Sequence, residues 1–411
     1  MTAPVLIAGG GIGGLTAALS LHAAGIDSVV VESARRIEPL GVGINLLTQG
    51  VRELVELGLG DELAELGVAT AEYAFCDRYG NELFSQPRGT ATGSNWPQYC
   101  IHRGELHLML LEEVRRRLGP DAVRTGARLQ DFTQHDDAVE VRVTDRASGG
   151  TETLRAAALV GADGLNSTVR TLLHPDEGPL AWSGQRMWRG VTEGVPPFLT
   201  GRSWVGASDG DVTLVAYPIG KDRTNWVCLV RVAEPGVLPE AADGPVDDRR
   251  EGLLKEVMAH YEGWSMGWLD VRDLLERSGE VLEYPMVDRD PLPAWGSGRV
   301  TLLGDAAHPM YPAGGNGASQ AVLDARVLAY ELAQADGDVP AGLAAYERAR
   351  LEPANGVVMA ARAMERATSP STWDRAQVTQ MMEMYRMKAE KEVAELNSRP
   401  SYTPPAPRAG S

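Results

Sequence analysis

The chain has 411 residues, 44% apolar and 23% charged, ordinary values for a globular protein long enough for two domains. Its formal net charge of −17 argues against nucleic acid or an anionic membrane surface as partner, so an anionic ligand must be received by local dipoles or cations. No apolar run reaches membrane-spanning length, and the cysteines Cys76, Cys100 and Cys228 form no metal or redox spacing; they read as free thiols in a reducing, cytoplasmic setting with no metal site.

The first segment, "PVLIAGGGIGGLTAALSLHAAGI", has no basic leader and is interrupted by glycines, so it reads as a strand, a turn and a helix rather than a signal segment. Gly9, Gly11 and Gly14 carry the G-x-G-x-x-G spacing. The first glycine permits the tight turn, the second lets the backbone approach a pyrophosphate, and the third allows close packing of helix on strand. The helix N-terminus adds N–H donors and partial positive charge. "IDSVVVESARR" then forms a second strand ending in Glu32, whose carboxylate would accept from ribose hydroxyls and disfavour a 2′-phosphate. These elements predict an FAD or NAD site without choosing between them.

Further along, "AAALVGADGLNSTVRTLL" (156–173) is another strand, turn and helix, with Asp163 facing either a ligand or the helix start as its cap. Residues 179–285 differ in character: "MWRGVTEG", "SWVGASDGDVTLVAYPI" and "NWVCLVRVA" are β-rich runs broken by Gly, Pro and Asp. Trp188, Tyr217 and Trp226 lie in these runs; aromatics in strands are ordinarily core, and the alternative is contact with an aromatic ligand.

In "GRVTLLGDAAHPMYPAGGNGASQAVLDARVL", Asp305 ends a strand, where ligands gather in parallel sheets. Pro312-Ala313-Gly314-Gly315-Asn316-Gly317 then leads into a helix from about Ala318, whose open N–H groups would favour negative charge on a ligand ring. His308 reads as a packed loop histidine. A helix over 371–396 carries Met381, Met382, Met384 and Met387 as a packing face, and the Pro-rich tail 397–411 is expected to be disordered.

Three motifs in this order, Gly9–Gly14 with Glu32, "GADG" at 161–164 and "GDAAHPMYPAGGNG" at 304–317, resemble those of the FAD-dependent aromatic hydroxylases, single-component flavoprotein monooxygenases of the p-hydroxybenzoate hydroxylase type. The resemblance spans roughly residues 4–365. Within that family, "LGVGINLLTQGVRELVELGLGDEL", "PQYCIHRGEL", "MWRGVTE" and "NWVCLV" are similar to segments of the phenazine-1-carboxylate hydroxylases.

The resemblance implies an α/β fold: a Rossmann-like FAD-binding domain (1–75, 101–178 and 286–370) interleaved with a β-sheet substrate domain (76–100 and 179–285), plus the C-terminal helix. It implies non-covalent FAD held by Gly9, Gly11, Gly13, Gly14, Glu32, Arg35, Gly43, Arg103, Leu129, Asp163, Asp305, Gly315, Asn316 and Gly317. "GVGINL" at 41–46 would be the mobile loop beside the flavin, and Arg103 would reach the pyrophosphate. An aromatic substrate would lie against Trp188, Tyr217, Tyr311, Pro312 and Ala313, the last smaller than the family's usual residue.

No second G-x-G-x-x-G is present, so NADH or NADPH would dock transiently. By the same resemblance, O2 would form a flavin C4a-hydroperoxide that hydroxylates the ring, with loss of CO2 where the attacked carbon bears a carboxylate. That carboxylate would be received by loop N–H groups or by Arg189, whose ordinary role is structural. No side chain need act as nucleophile, and the chain would be a monomer or homodimer. A salicylate-hydroxylase-like activity, a flavin-dependent reductase of the same fold and a non-catalytic flavoprotein are the alternatives.

Overall fold

The computed structural model describes residues 3–39, 41–194, 198–239, 250–251, 254–366 and 375–402. Five short strands form a parallel sheet in the order Val300–Leu302, Ala158–Gly161, Val5–Ala8, Ser28–Glu32, Val123–Thr125. Val5–Ala8 is central and buried throughout, as expected of a continuous apolar run covered on both faces. The helices Ile12–Ala23 and Gly317–Gln334 pack on one another beside it. A three-stranded antiparallel sheet, Ala127–Gln134, Val139–Asp145 and Thr151–Ala156, rises from the crossover between strands Val123–Thr125 and Ala158–Gly161. Gly43–Leu46, Gln98–His102 and Val68–Thr70 make a second small sheet beneath the cavity described below.

The large sheet runs in the order Arg250–Glu251, Ser278–Asp288, Ala181–Glu193, Arg223–Arg231, Val212–Pro218, Ser203–Asp209, Glu72–Cys76, Glu82–Pro87, and Gly236–Val237 pairs with Ala181–Glu193 at the side. Its limits differ from the 76 and 285 drawn from the sequence. The first strand starts at Glu72, and the last runs through Pro285 to Asp288. Pro285 is tolerated because it stands opposite Arg186, where the pairing register shifts and the ladder is already interrupted.

The sequence reading also missed two helices, Leu254–His260 and Val271–Glu276, inside the β-rich segment. Residues from them, among them Val257, Leu274 and Leu275, join Trp188, Trp226, Cys228 and Leu214 in a second core on one face of the large sheet. The opposite face is thereby left for the cavity.

The C-terminal helix occupies Arg375–Ser398. Residues 371–374 of the expected helix, and the side chains of Met381, Met382 and Met384, lie outside the described residues. Met387 is 62% exposed, so it is not part of a packing face. The expectation of a disordered tail from 397 is corrected for residues 397–402; 403–411 lie outside the described residues. Arg52 donates to the carbonyls of Leu396 (2.9 Å) and Arg399 (2.7 Å), Arg399 pairs with the buried Glu53, and the Tyr402 ring meets Tyr330 edge-on. Proline composition alone did not reveal this anchor, because its partners Arg52 and Glu53 lie on the helix Thr48–Glu56, more than 300 residues away in sequence.

Candidate active site

The glycine turn is built as its spacing suggests. Gly9 has φ +108°, and a Cβ there would fall 2.3 Å from the Ala162 carbonyl oxygen. A Cβ on Gly14 would fall 2.0 Å from the Gly9 carbonyl oxygen, so the helix sits directly on the strand end. Gly13 faces the flexible end of Leu303 at 2.8 Å. Gly11 differs from these: a Cβ there would meet nothing within 4 Å. No side chain caps this helix, so its first N–H groups are open toward that space.

Glu32 accepts from the Gly10 N–H (2.7 Å) and the Ala34 N–H (2.6 Å), so it holds the turn from the next strand. His107, which the sequence reading did not single out, donates through Nε2 to the Gly10 carbonyl at 2.5 Å. It stands one helical turn beyond Arg103 on Arg103–Leu118, and that i, i+4 spacing was the available signal. Burial lowers its pKa and favours the neutral ring. Arg103 is exposed; its backbone N–H donates to the Val42 carbonyl at 2.9 Å, while its side chain makes no hydrogen bond or ion pair among the described residues, and its Cδ would lie 3.6 Å from a Cβ on Gly41.

Three expected cofactor residues are engaged elsewhere. Asp163 accepts from Ser167 Oγ and from the N–H groups of Thr168 (2.7 Å) and Val169 (3.3 Å), so its carboxylate caps the helix Thr168–Leu173. Its backbone nonetheless abuts Gly9, with Asp163 Cα 2.9 Å from a Gly9 Cβ. Arg35 donates to the Arg146 carbonyl at 2.7 Å. The Leu129 side chain is buried in the main core, leaving only its backbone for contact.

Asp305 lies beyond the strand end, which is Leu302, in a 3-10 turn Gly304–Ala306. Its neighbours are clamped. Asp324 accepts from the Gly304 N–H (3.0 Å) and from His308 Nε2 (2.6 Å), and Arg170 donates to the carbonyls of Ala306 (2.9 Å) and Ala307 (2.8 Å). Asp305 itself is exposed, without a hydrogen-bond partner among the described residues, and borders the cavity. Gly314 (φ +79°) and Gly315 (φ +67°) lead to Asn316 and the helix start at Gly317, again without a side-chain cap. A Cβ on Gly315 would fall 2.9 Å from Asn45 Cβ, so the loop lies against the strand Gly43–Leu46.

Between this loop and the open face of the large sheet is a cavity of about 1580 Å³. Pro312, Ala313, Gly315, Asn316 and Gly317 line one wall; Met187, Arg189, Val215, Val227 and Leu229 line the other, and residues of the C-terminal helix form the roof. The expected aromatics are placed differently. Trp188 and Trp226 are fully buried in the second core, on the far face of the sheet, because side chains alternate and their neighbours Met187, Arg189 and Val227 take the cavity side. Tyr217 reaches the cavity wall, but its hydroxyl donates to the Gly43 carbonyl at 2.9 Å, and burial raises the phenol's pKa. Tyr311 is buried against Met286 and Ala361, with its phenol pushed up to about 12 by burial, so it stands behind the wall.

Gly43 is fixed on three sides. Its N–H donates to Asn225 Oδ1 (2.7 Å), and its carbonyl accepts from Tyr217 and from Arg189 Nη2 (2.6 Å). The residues present fit FAD: open space ahead of an uncapped helix at Gly11, an unpartnered carboxylate at Asp305, and a glycine loop with an open helix N-terminus beside a roomy cavity.

Comparison with known proteins agrees. Residues 2–235 and 280–361 match the family described as FAD binding domain. The chain is 51% identical over 368 residues to phenazine 1,6-dicarboxylic acid hydroxylase PhzS of Lysobacter antibioticus, covering 87% of this chain and 89% of that protein. It is 34% identical to 3-hydroxybenzoate 6-hydroxylase 1 of Aquipseudomonas alcaligenes, covering 84% of each. The structure of Klebsiella pneumoniae HpxO with FAD and uric acid superposes with a TM-score of 0.75 at 25% identity, over 96% of this chain and 95% of that one.

Proposed function

The chain belongs to the FAD-binding-domain family and is an FAD-dependent aromatic monooxygenase; from that premise we propose that it hydroxylates a planar, phenazine-like aromatic carboxylate, with loss of the carboxyl group. NADH or NADPH would supply two electrons and O2 the oxygen atom. The observation that carries the reading is the cavity: about 1580 Å³, apolar along the sheet at Val215, Val227 and Leu229, with Arg189 on the same wall. The name of the relative at 51% identity supports the phenazine class.

When bound, FAD supplies the activation of O2 and the transfer of one oxygen atom to the ring. The protein does the rest. The open N–H groups at Gly11–Gly14 would hold the pyrophosphate, and Asp305 would accept from the polyol chain. The helix start at Gly317 would stabilise negative charge on the flavin ring, and the cavity walls would hold the substrate ring beside it. The C-terminal helix, strapped down by Arg52 and Arg399, limits water entry from above.

Where the carbon receiving oxygen bears a carboxylate, it becomes tetrahedral. The C–C bond then breaks, CO2 leaves, and its electron pair restores aromaticity as a phenolate. The other oxygen atom leaves as water with the two electrons from NAD(P)H. A screen of phenazine, quinoline and benzoate carboxylates for stimulated NAD(P)H oxidation, with product mass, tests this reading. Turnover of benzoates alone would favour the salicylate-hydroxylase-like alternative.

A further inference from the structure

Arg189 stands apart from the other cations around the cavity. Arg350 is committed to Asp324 (2.7 Å) and Gln320 (2.6 Å), Arg399 to Glu53, Arg386 to Glu390, and Arg88 to Gln86 (3.0 Å) and the Tyr73 ring. Arg189 makes no ion pair among the described residues. Its Nη2 donates to the Gly43 carbonyl at 2.6 Å, and its Nε is buried with no hydrogen-bond partner. A half-buried guanidinium with an unmet donor, in a chain of net charge −17, is an expensive arrangement unless an anion completes it.

The sheet register shows what shape of anion would fit. Arg189 pairs with Val227, Val227 with Val215, and Val215 with Gly206, so these four residues form one row across four adjacent strands. At the usual strand spacing the row is about 14 Å long. Arg189 lies at one end. The two low-profile valines form the middle. At Gly206 the missing side chain leaves room that Tyr73 fills, its hydroxyl 2.7 Å from where a Cβ would stand. The result is a flat apolar strip closed by a cation at one end and an aromatic residue at the other.

We propose that Arg189 is the substrate-anchoring and specificity-determining residue of this cavity: it receives the carboxylate of a planar aromatic acid lying along Val227 and Val215, while its contact with Gly43 links that binding to the start of the strand Gly43–Leu46, which stands where the sequence suggested a mobile loop. The inference rests on the aromatic-carboxylate reading above and adds the residue that distinguishes an acid from a neutral arene. Because Gly43 is also held by Asn225 and Tyr217, the start of this strand keeps two of its three side-chain ties when the guanidinium turns toward a ligand.

The test uses FAD-loaded wild type, Arg189→Gln and Arg189→Lys, with FAD content and melting temperature recorded. Each is titrated by calorimetry with phenazine-1-carboxylate and with unsubstituted phenazine. The expected result is a loss of roughly ten- to hundredfold in affinity for the carboxylate in Arg189→Gln, no change for phenazine, and partial recovery in Arg189→Lys. Equal weakening of both ligands marks a purely structural arginine and overturns the proposal, as does a wild type that binds both equally or neither. A carboxylate preference that depends on Arg189, in an enzyme that forms no oxygenated product from phenazine-1-carboxylate, supports the anchor and refutes the proposed reaction. The two failures are therefore separable.

Discussion

His308 Nε2 lies 2.6 Å from Asp324 Oδ2, and both side chains are fully buried. The histidine of the "GDAAHP" segment is thus a structural member of a polar cluster that also takes in the Gly304 N–H and Arg350. Burial raises the Asp324 pKa, but His308 and Arg350 outweigh it and hold the carboxyl at about 2 against an ordinary 3.8. A folded-state value below the unfolded one gives stability that is present above the unfolded pKa and is lost as pH falls through the folded one. Asp324→Asn is therefore expected to cost about 3–5 kcal/mol at neutral pH, since it leaves Arg350 without its anion. It should also remove the part of the acid limb between about pH 4 and pH 2 that belongs to this group. Melting curves of both proteins over that range check it; parallel pH profiles would contradict it.

Gly14 and Gly11 of the first turn are expected to separate by role. Gly14→Ala drives a Cβ against the rigid Gly9 carbonyl and should destabilise the fold by about 1–3 kcal/mol or more. Gly11→Ala meets nothing in the protein, so its apoprotein should melt within about 1 kcal/mol of wild type. Its FAD affinity should nonetheless fall roughly tenfold or more, because the new methyl takes the pyrophosphate's approach. Apoprotein melting and flavin titration measured together check this, and retained FAD affinity in Gly11→Ala would sink it.

Asp305 is free because its neighbours are pinned, and that predicts a loss confined to the cofactor. Asp305→Ala should weaken FAD binding by about ten- to hundredfold with little change in apoprotein stability. Equilibrium dialysis of flavin against the apoprotein measures it; an unchanged dissociation constant would remove Asp305 from the site.

Burial pushes the thiols of Cys76, Cys100 and Cys228 up to about 12, Glu82 and Asp77 adding to the effect at Cys76. At pH 8 roughly one thiol in ten thousand would be ionised. A chromogenic disulfide reagent should find no fast thiol in the native protein and three after denaturation in guanidinium. A rapid native equivalent would show that one of these residues is more accessible than its burial indicates.

What the sequence made legible is what lies close together along the chain. The glycine turn and the 304–317 loop each declare their geometry within a few residues, and the structure builds them accordingly. Glu32 was legible as the acid at a strand end, but its contacts with the Gly10 and Ala34 N–H groups were not. Asp163 was also locally readable as a cap, from Ser167 and Thr168 just after it, and that local chemistry prevailed. Trp226 follows the core reading ordinary for a strand aromatic, whereas the substrate placement of Trp188 does not hold, because which face of a strand meets the cavity depends on the helices at 254–276, which close the other face. Tyr217 satisfies its hydroxyl on Gly43, 174 residues away, and nothing near it in sequence signals that bond.

The most direct test of the reaction is turnover of phenazine-1-carboxylate with NADH or NADPH under isotopically labelled O2, with product mass and released CO2 recorded together. One labelled oxygen atom per product, with one CO2 per turnover, is the predicted result. A product without label, or one formed equally well without O2, would contradict it.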